Sequence, residues 1–277
     1  MKNVSDLIRE NAHKFPDKKA IVFSKKKFFG GFKYPFYTFL EFENRINQFC
    51  HKLAELGVKE QDKVLFFVKP NLDFSIITFA LFRMGAIPVF IDPGMKRDFF
   101  FKAIEDLKPD VLIGIRKVHL LRRVKPQIFS SIKCFISTEK WSLFTPSIYK
   151  GLKKKDRQFK SFTPSSESLG AILFTSGGTG SPKGVEYTHE AFIKQTSLLQ
   201  QEFNLSSDDI DIPGFPLFSF FTLGMGMTSC IPHMDFANPS GCDPEILYRN
   251  ISDSKATFVA GSPAIWERLA DYCLQNK

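Results

Sequence analysis

The run TSGGTGSPKG, from Thr175 to Gly184, gathers residue types that grip phosphate. Gly177, Gly178 and Gly180 carry no side chain, so backbone N–H groups there can approach an anion closely. Thr175, Ser176 and Thr179 add hydroxyl donors, and Lys183 adds a positive charge on a flexible stem. Composition alone leaves a mobile surface turn equally open. The spacing excludes one familiar phosphate loop. Counting back from Lys183, Gly177 fits the first glycine of a Walker A sequence, but Pro182 stands at the second and Gly184 replaces the hydroxyl that would hold magnesium.

Other chemistry-bearing residues are sparse. His189 opens the segment after the loop, where a solvated or capping role is expected rather than a catalytic base. His13, His51, His119 and His233 show no ligand spacing. The cysteines, Cys50, Cys134, Cys230, Cys242 and Cys273, are five, far apart, and form no Cys-x-x-Cys pair. That pattern fits a reducing compartment and offers neither a disulfide framework nor a metal site.

The elements that must position the loop follow an alternating rhythm. AILF (Ala171 to Phe174) is expected to be a strand leading into the loop, and a helix is expected from near Thr188, with Phe192, Leu199 and Phe203 on one face. Upstream, Thr38 and Glu41 have capping-box spacing, and Phe42, Ile46, Phe49, Leu53 and Leu56 recur on one helical face until Gly57. The apolar runs VLFFV (from Val64), IPVFID (from Ile87), VLIGI (from Val111) and KCFIS (from Lys133) are expected to be strands, with helices from about Asn71 and over Arg97 to Leu107 between them. Such alternation predicts an α/β fold with mainly parallel sheets flanked by helices. Residues 1–140 are expected to form a first unit, 141–168 a surface connection, and 169–277 a second unit beginning with the phosphate loop.

Composition bounds the function. At 277 residues, with 43% hydrophobic and 24% charged residues, the chain should fold as a globular protein. Its 32 phenylalanines imply an aromatic core or an apolar ligand pocket. The net charge of +9 comes from short basic loops such as Lys25 to Lys27, not from one basic helix, so no nucleic-acid function is expected. The apolar stretch from Phe74 to Ile91 is interrupted by Arg83, Gly85 and Pro88, so it is expected to be a buried helix turning into a buried strand rather than a transmembrane segment. The N-terminus lacks a signal-peptide core, which predicts a cytoplasmic protein.

The order Thr-Ser-Gly-x-Thr-Gly-x-Pro-Lys-Gly in the loop resembles the phosphate-binding signature of the AMP-forming adenylating enzymes, which include acyl-CoA synthetases. It departs at Gly178, where the family usually has Ser or Thr. The resemblance extends along the whole chain, through YTFLEFENRINQFCHKLAELGVKEQDKVLFF, NLDFSIITFALFRMGAIPVFIDP and GSPA (from Gly261). FPLFSFFTLGMGMTSCIPHMDFANPSGCDP looks most like the β-lactone synthetases of olefin biosynthesis, with Ser219 where many acyl-CoA synthetases have His.

This resemblance implies ATP-dependent activation of a long-chain, β-hydroxylated or plain, fatty acid as an acyl adenylate, followed by β-lactone closure or by thioester formation with CoA. It implies ATP and Mg²⁺ as cofactors, Thr175 to Gly180 and Lys183 as nucleotide contacts, and Phe218, Ser219, Gly261, Ser262 and Pro263 as substrate contacts. Phe215, Phe220 and Phe221 fall in the same acyl region, with core packing as the competing reading. The family's later segments, including a small C-terminal domain with a catalytic lysine, are not found before Lys277. The expectation is therefore the incomplete N-terminal domain of such an enzyme, inactive alone, with a non-catalytic nucleotide- or lipid-binding remnant as the alternative.

Overall fold

In the computed structural model, which describes residues 1–92, 94–152, 158–175 and 183–276, the capping box expected at Thr38 closes in both directions. The Glu41 N–H donates to Thr38 Oγ1 (3.2 Å), and the Thr38 N–H donates to the Glu41 carboxylate (2.9 Å). Two of the donors left over at a helix start are thereby satisfied.

The chain runs through α1 (Val4–Lys14), β1 (Lys19–Phe23), β2 (Lys25–Lys26), β3 (Phe32–Lys33), β4 (Phe36–Thr38), α2 (Phe39–Glu55), β5 (Lys63–Phe67) and α3 (Leu72–Met84). It continues with β6 (Ile87–Ile91), α4 (Arg97–Leu107), β7 (Val111–Gly114), α5 (Arg116–Val124), β8 (Cys134–Ser137), β9 (Leu169–Thr175), β10 (Lys183–Thr188) and α6 (His189–Glu202). The last elements are β11 (Ile210–Pro213), α7 (Ser219–Gly224), β12 (Thr228–Ile231), α8 (Pro244–Ser254), β13 (Phe258–Ala260) and α9 (Pro263–Gln275). The α/β class with mainly parallel sheets is as the alternation predicts.

The first unit comprises Met1–Asp6, Asn44–Lys69 and Ile76–Ile193. Its sheet has the order β10-β9-β6-β5-β7-β8, parallel throughout except for the edge strand β10. The continuous apolar run IPVFI forms β6, buried at every position, as a strand covered on both faces must be. Leu65, Val89, Leu112 and Ile172 from four neighbouring strands join in one core. The helix-to-strand reading of Phe74 to Ile91 holds: α3 ends at Met84, Gly85 turns the chain with φ +72, and β6 follows. Arg83 is fully buried, and its guanidinium donates to Asn47 Oδ1 (2.9 Å) and the Ser5 carbonyl (3.3 Å).

Two expectations are corrected here. Strand β9 lies beside β6 (Val89↔Ile172), so residue 169 does not open a second unit but extends the first sheet. The stretch from 141 to 168 is not simply a surface connection. Ile148 is fully buried, Ser147 bridges to Ser137, and the Phe162 ring lies against Gly85. Lys183–Thr188 forms a strand that pairs antiparallel with β9, and α6 begins at His189, where a helix is expected near Thr188.

The second unit comprises Leu7–Glu43, Pro70–Ser75 and Lys194–Lys277. Its sheet has the order β13-β11-β12-β1-β4, parallel apart from β4. Val22, Ile212, Cys230, Leu247 and Ile265 form its core. Asn11 on α1 donates its side-chain amide to the carbonyls of Leu223 and Gly224 (3.0 and 2.9 Å), satisfying acceptors at the end of α7. A separate ribbon pairs β2 with β3. No helix among the described residues is long and apolar enough to cross a membrane.

Candidate functional site

In the first unit the two described candidate nucleotide residues, Thr175 and Lys183, stand at the C-terminal end of β9 and the start of β10, and the carboxyl ends of strands are where ligands bind in parallel α/β sheets. Thr175 is the last residue of β9 and pairs with Lys183, the first of β10, so the loop is the connection of a hairpin. Ser176, Gly177, Gly178, Thr179 and Gly180 lie outside the described residues. Lys183 is exposed. Gly184 has a packing reason to be glycine: a Cβ there would lie 3.1 Å from both Ile172 Cγ2 and the Phe174 ring. Asp92 follows the neighbouring strand end, where its carboxylate accepts from the Gly94 N–H (2.8 Å).

His189 is not solvated. It is fully buried, its Nδ1 accepts from the Val4 N–H (3.3 Å), and burial pushes its pKa down to about 4. Thr188 does the capping, accepting from the Ala191 N–H (3.1 Å). The imidazole is thus a neutral structural acceptor.

In the second unit the candidate substrate residues converge on the carboxyl ends of two adjacent parallel strands. β11 and β13 finish side by side, with Pro213 opposite Ala260, and the Gly214 N–H donates to the Ala260 carbonyl (2.6 Å). Gly214 and Gly261 bring the two backbones together: a Cβ on Gly214 would sit 2.8 Å from Ala260 O and 2.9 Å from Gly261 Cα. From β11 the chain passes Phe215 and a 3-10 turn (Pro216–Phe218) into α7. From β13 it passes Gly261 and Ser262 into α9, with Pro263 at the first helical position. The Ser262 side chain makes no capping bond, which leaves an exposed hydroxyl at the helix start.

The phenylalanines divide. Phe215 and Phe218 are 42% and 39% exposed and meet edge to face at 5.6 Å. Phe220 and Phe221 are buried, and Phe220 stacks on Phe74 at 6.0 Å. The exposed pair offers an apolar wall, whereas the buried pair is core. Ser219 is fully enclosed. Its hydroxyl donates to the Pro216 carbonyl (2.6 Å) and lies 3.3 Å from Ser75 Oγ, so it holds the turn rather than facing outward.

Sequence reasoning missed Asp211. It is fully buried on β11, and its Oδ2 accepts from Thr222 Oγ1 (2.8 Å) on α7 and Ser229 Oγ (3.2 Å) on β12. Burial pushes its carboxyl up to about 7, against the smaller opposing effect of the two hydroxyls. It ties α7, and with it the Phe218 turn, to the sheet. The available signal was an acidic residue between isoleucines in the apolar run IDIPGF. Among the described residues no three His, Cys, Asp or Glu side chains cluster as metal ligands.

Comparison with known proteins gives a consistent answer. The AMP-binding enzyme family matches residues 8–277. An olefin β-lactone synthetase of Stenotrophomonas maltophilia is 31% identical over 275 residues, covering 98% of this chain and 50% of the relative. An olefin β-lactone synthetase of Xanthomonas campestris is 32% identical over 242 residues, covering 85% of this chain and 42% of the relative. The chain therefore spans about half the length of these curated relatives. In fold it is similar to a long-chain-fatty-acid-CoA ligase of Archaeoglobus fulgidus, with a TM-score of 0.83 at 21% identity over 99% of this chain and 54% of that one. With the family match running over nearly its whole length, the chain belongs to the AMP-binding, adenylate-forming enzymes.

Proposed function

We propose that the protein to which this chain corresponds activates a long-chain β-hydroxy fatty acid as its acyl adenylate and closes it to a β-lactone. The similarity to two olefin β-lactone synthetases carries this reading. A carboxylate oxygen attacks the α-phosphorus of ATP and pyrophosphate leaves. The substrate's β-hydroxyl then attacks the activated carbonyl, loses its proton, and expels AMP. Lys183 and the hydroxyl-bearing loop from Thr175 hold the phosphates against the repulsion between two approaching anions. Magnesium, entering with the nucleotide, would supply further neutralisation of phosphate charge. Phe215 and Phe218 take the acyl chain beside Gly261, Ser262 and Pro263, at the joined ends of β11 and β13. Thioester formation with CoA is the competing second step, supported by the fold likeness to CoA ligases.

Mass spectrometry of the full-length protein with ATP and a long-chain β-hydroxy acid, with and without CoA, separates these readings. β-Lactone formed without CoA is expected; acyl-CoA alone would transfer the assignment to a ligase, and no carboxylate-dependent pyrophosphate release would remove both. Lys183→Ala should lower pyrophosphate release by about 100-fold, the scale of losing one preorganised charge contact. Its thermal midpoint should stay unchanged, because Lys183 is exposed.

A further inference from the structure

The short ribbon of β2 and β3 has no part in the site described above. Lys25 pairs with Lys33 and Lys26 with Phe32, and the Lys27 N–H donates to the Gly31 carbonyl (2.9 Å). Gly30 and Gly31, with φ of 87° and 72°, turn the chain. At the tip stand Phe28 and Phe29, 95% and 97% exposed, more than any other large apolar side chain among the described residues. Their rings meet edge to face at 5.0 Å and 87°. The base of the ribbon is anchored, because Phe32 packs against His233 (5.8 Å between centroids) and lies under the Arg249 guanidinium (5.7 Å). The tip is not. Nothing in the folding of this unit accounts for two phenylalanines in water, since neither is withdrawn from solvent.

The charge along the hairpin itself is one-sided, the Asp253 carboxylate lying at its base with Tyr34 and Arg249. Lys25, Lys26, Lys27 and Lys33 are all exposed, and no Asp or Glu occurs between Asp17 and Glu41. We infer that this hairpin is a docking element for an anionic lipid surface, with the two rings entering the acyl region and the lysines reaching headgroup phosphates. Three features favour lipid over the other anionic partners. The rings pack on each other as one convex knob, not as parallel faces on which bases stack. The cations are lysines, whose long stems can lie along the acyl boundary with the charge in water. A two-residue tip is also too small for a stable protein interface, which takes roughly 800 Å² per partner.

The test is flotation of the full-length protein with vesicles of phosphatidylcholine alone or with about one third phosphatidylglycerol. Binding to the anionic vesicles, weakening as salt rises from about 0.1 M to about 0.5 M, is expected. Phe28→Ser with Phe29→Ser should lower the partition coefficient by about 100-fold, and Lys26→Glu with Lys27→Glu by about 10-fold or more. Both should leave the melting temperature unchanged. Phe29→Trp offers a direct reading, its emission shifting to the blue on anionic vesicles. Failure of the wild type to float, equal floating of the double serine variant, or an unshifted tryptophan would each overturn the proposal. Loss of oligonucleotide or protein capture in the serine variant, with vesicle binding intact, would reassign the hairpin.

Discussion

Asp211 gives its unit a pH dependence whose sign is fixed by burial. In an unfolded chain an aspartate titrates near pH 4, while here the carboxyl is raised to about 7. Between those values the folded protein keeps a proton that the unfolded chain has released. This contribution to stability is complete below about pH 4 and is lost as pH rises through about 7. Asp211→Asn keeps an oxygen for the Thr222 and Ser229 hydroxyls and carries no charge to bury. Its melting temperature should fall less than that of the wild type between about pH 5 and pH 8, and should be the higher of the two at about pH 8. Parallel profiles would mean that Asp211 is ionised and hydrated in the folded protein. The aromatic pair makes a second test. Phe220→Ala should cost about 3–5 kcal/mol, as removal of a stacked core ring does, while Phe218→Ala should change stability by less than about 0.5 kcal/mol and instead alter the preference for acyl chain length. Urea unfolding and activation rates across chain lengths decide between them. Residue types single out the run from Thr175 to Gly184 as a candidate phosphate loop, through its glycines, hydroxyls and lysine. They could not show that the Ser219 hydroxyl bonds the Pro216 carbonyl, or that His189 is enclosed, because burial depends on distant segments.

Among the elements, the joined ends of β11 and β13 are the least tolerant point of the candidate substrate region. Gly214→Ala would drive a methyl group into backbone atoms of Ala260 and Gly261, neither of which can rotate away as a side chain would. A loss of about 1–3 kcal/mol is expected from such overpacking. Activation of the acid should fall together with the midpoint in urea, and a fully stable, fully active variant would place the substrate elsewhere. The same scale explains which elements the sequence disclosed. Strands β5, β6 and β7 are continuous apolar runs covered on both faces, and α2 carries a start signal, one apolar face and a glycine stop, so their pattern and burial agree. β10 escaped because KGVEYT lies at the sheet edge with its first four residues exposed, leaving no period to read. α5 escaped because RKVHLLRRV is largely basic and has His119 as its one buried residue.

At the scale of the molecule, the chain enters each unit more than once. Strand β12 lies between β11, from the same late part of the chain, and β1, from near the start. A linear division at residue 169 follows naturally from the alternating pattern, but strand order is set by which edges pair, and local periodicity does not carry that information. Cysteine placement follows the division into two units. Cys50 is enclosed in the first, Cys230 and Cys242 in the second, while Cys273 near the end of α9 is partly exposed. Burial also pushes the Cys230 thiol up to about 11, so little reactive thiolate exists at neutral pH. The protein thus carries intrinsic clocks for the opening of each unit. With a thiol-reactive mass tag, Cys273 should be modified first under native conditions, and modification of Cys50 and Cys230 should follow unfolding of the first and second unit in turn. Tagging of Cys50 as fast as Cys273 in native buffer would contradict its enclosure, whereas different denaturant midpoints for Cys50 and Cys230 would give the two units separate stabilities.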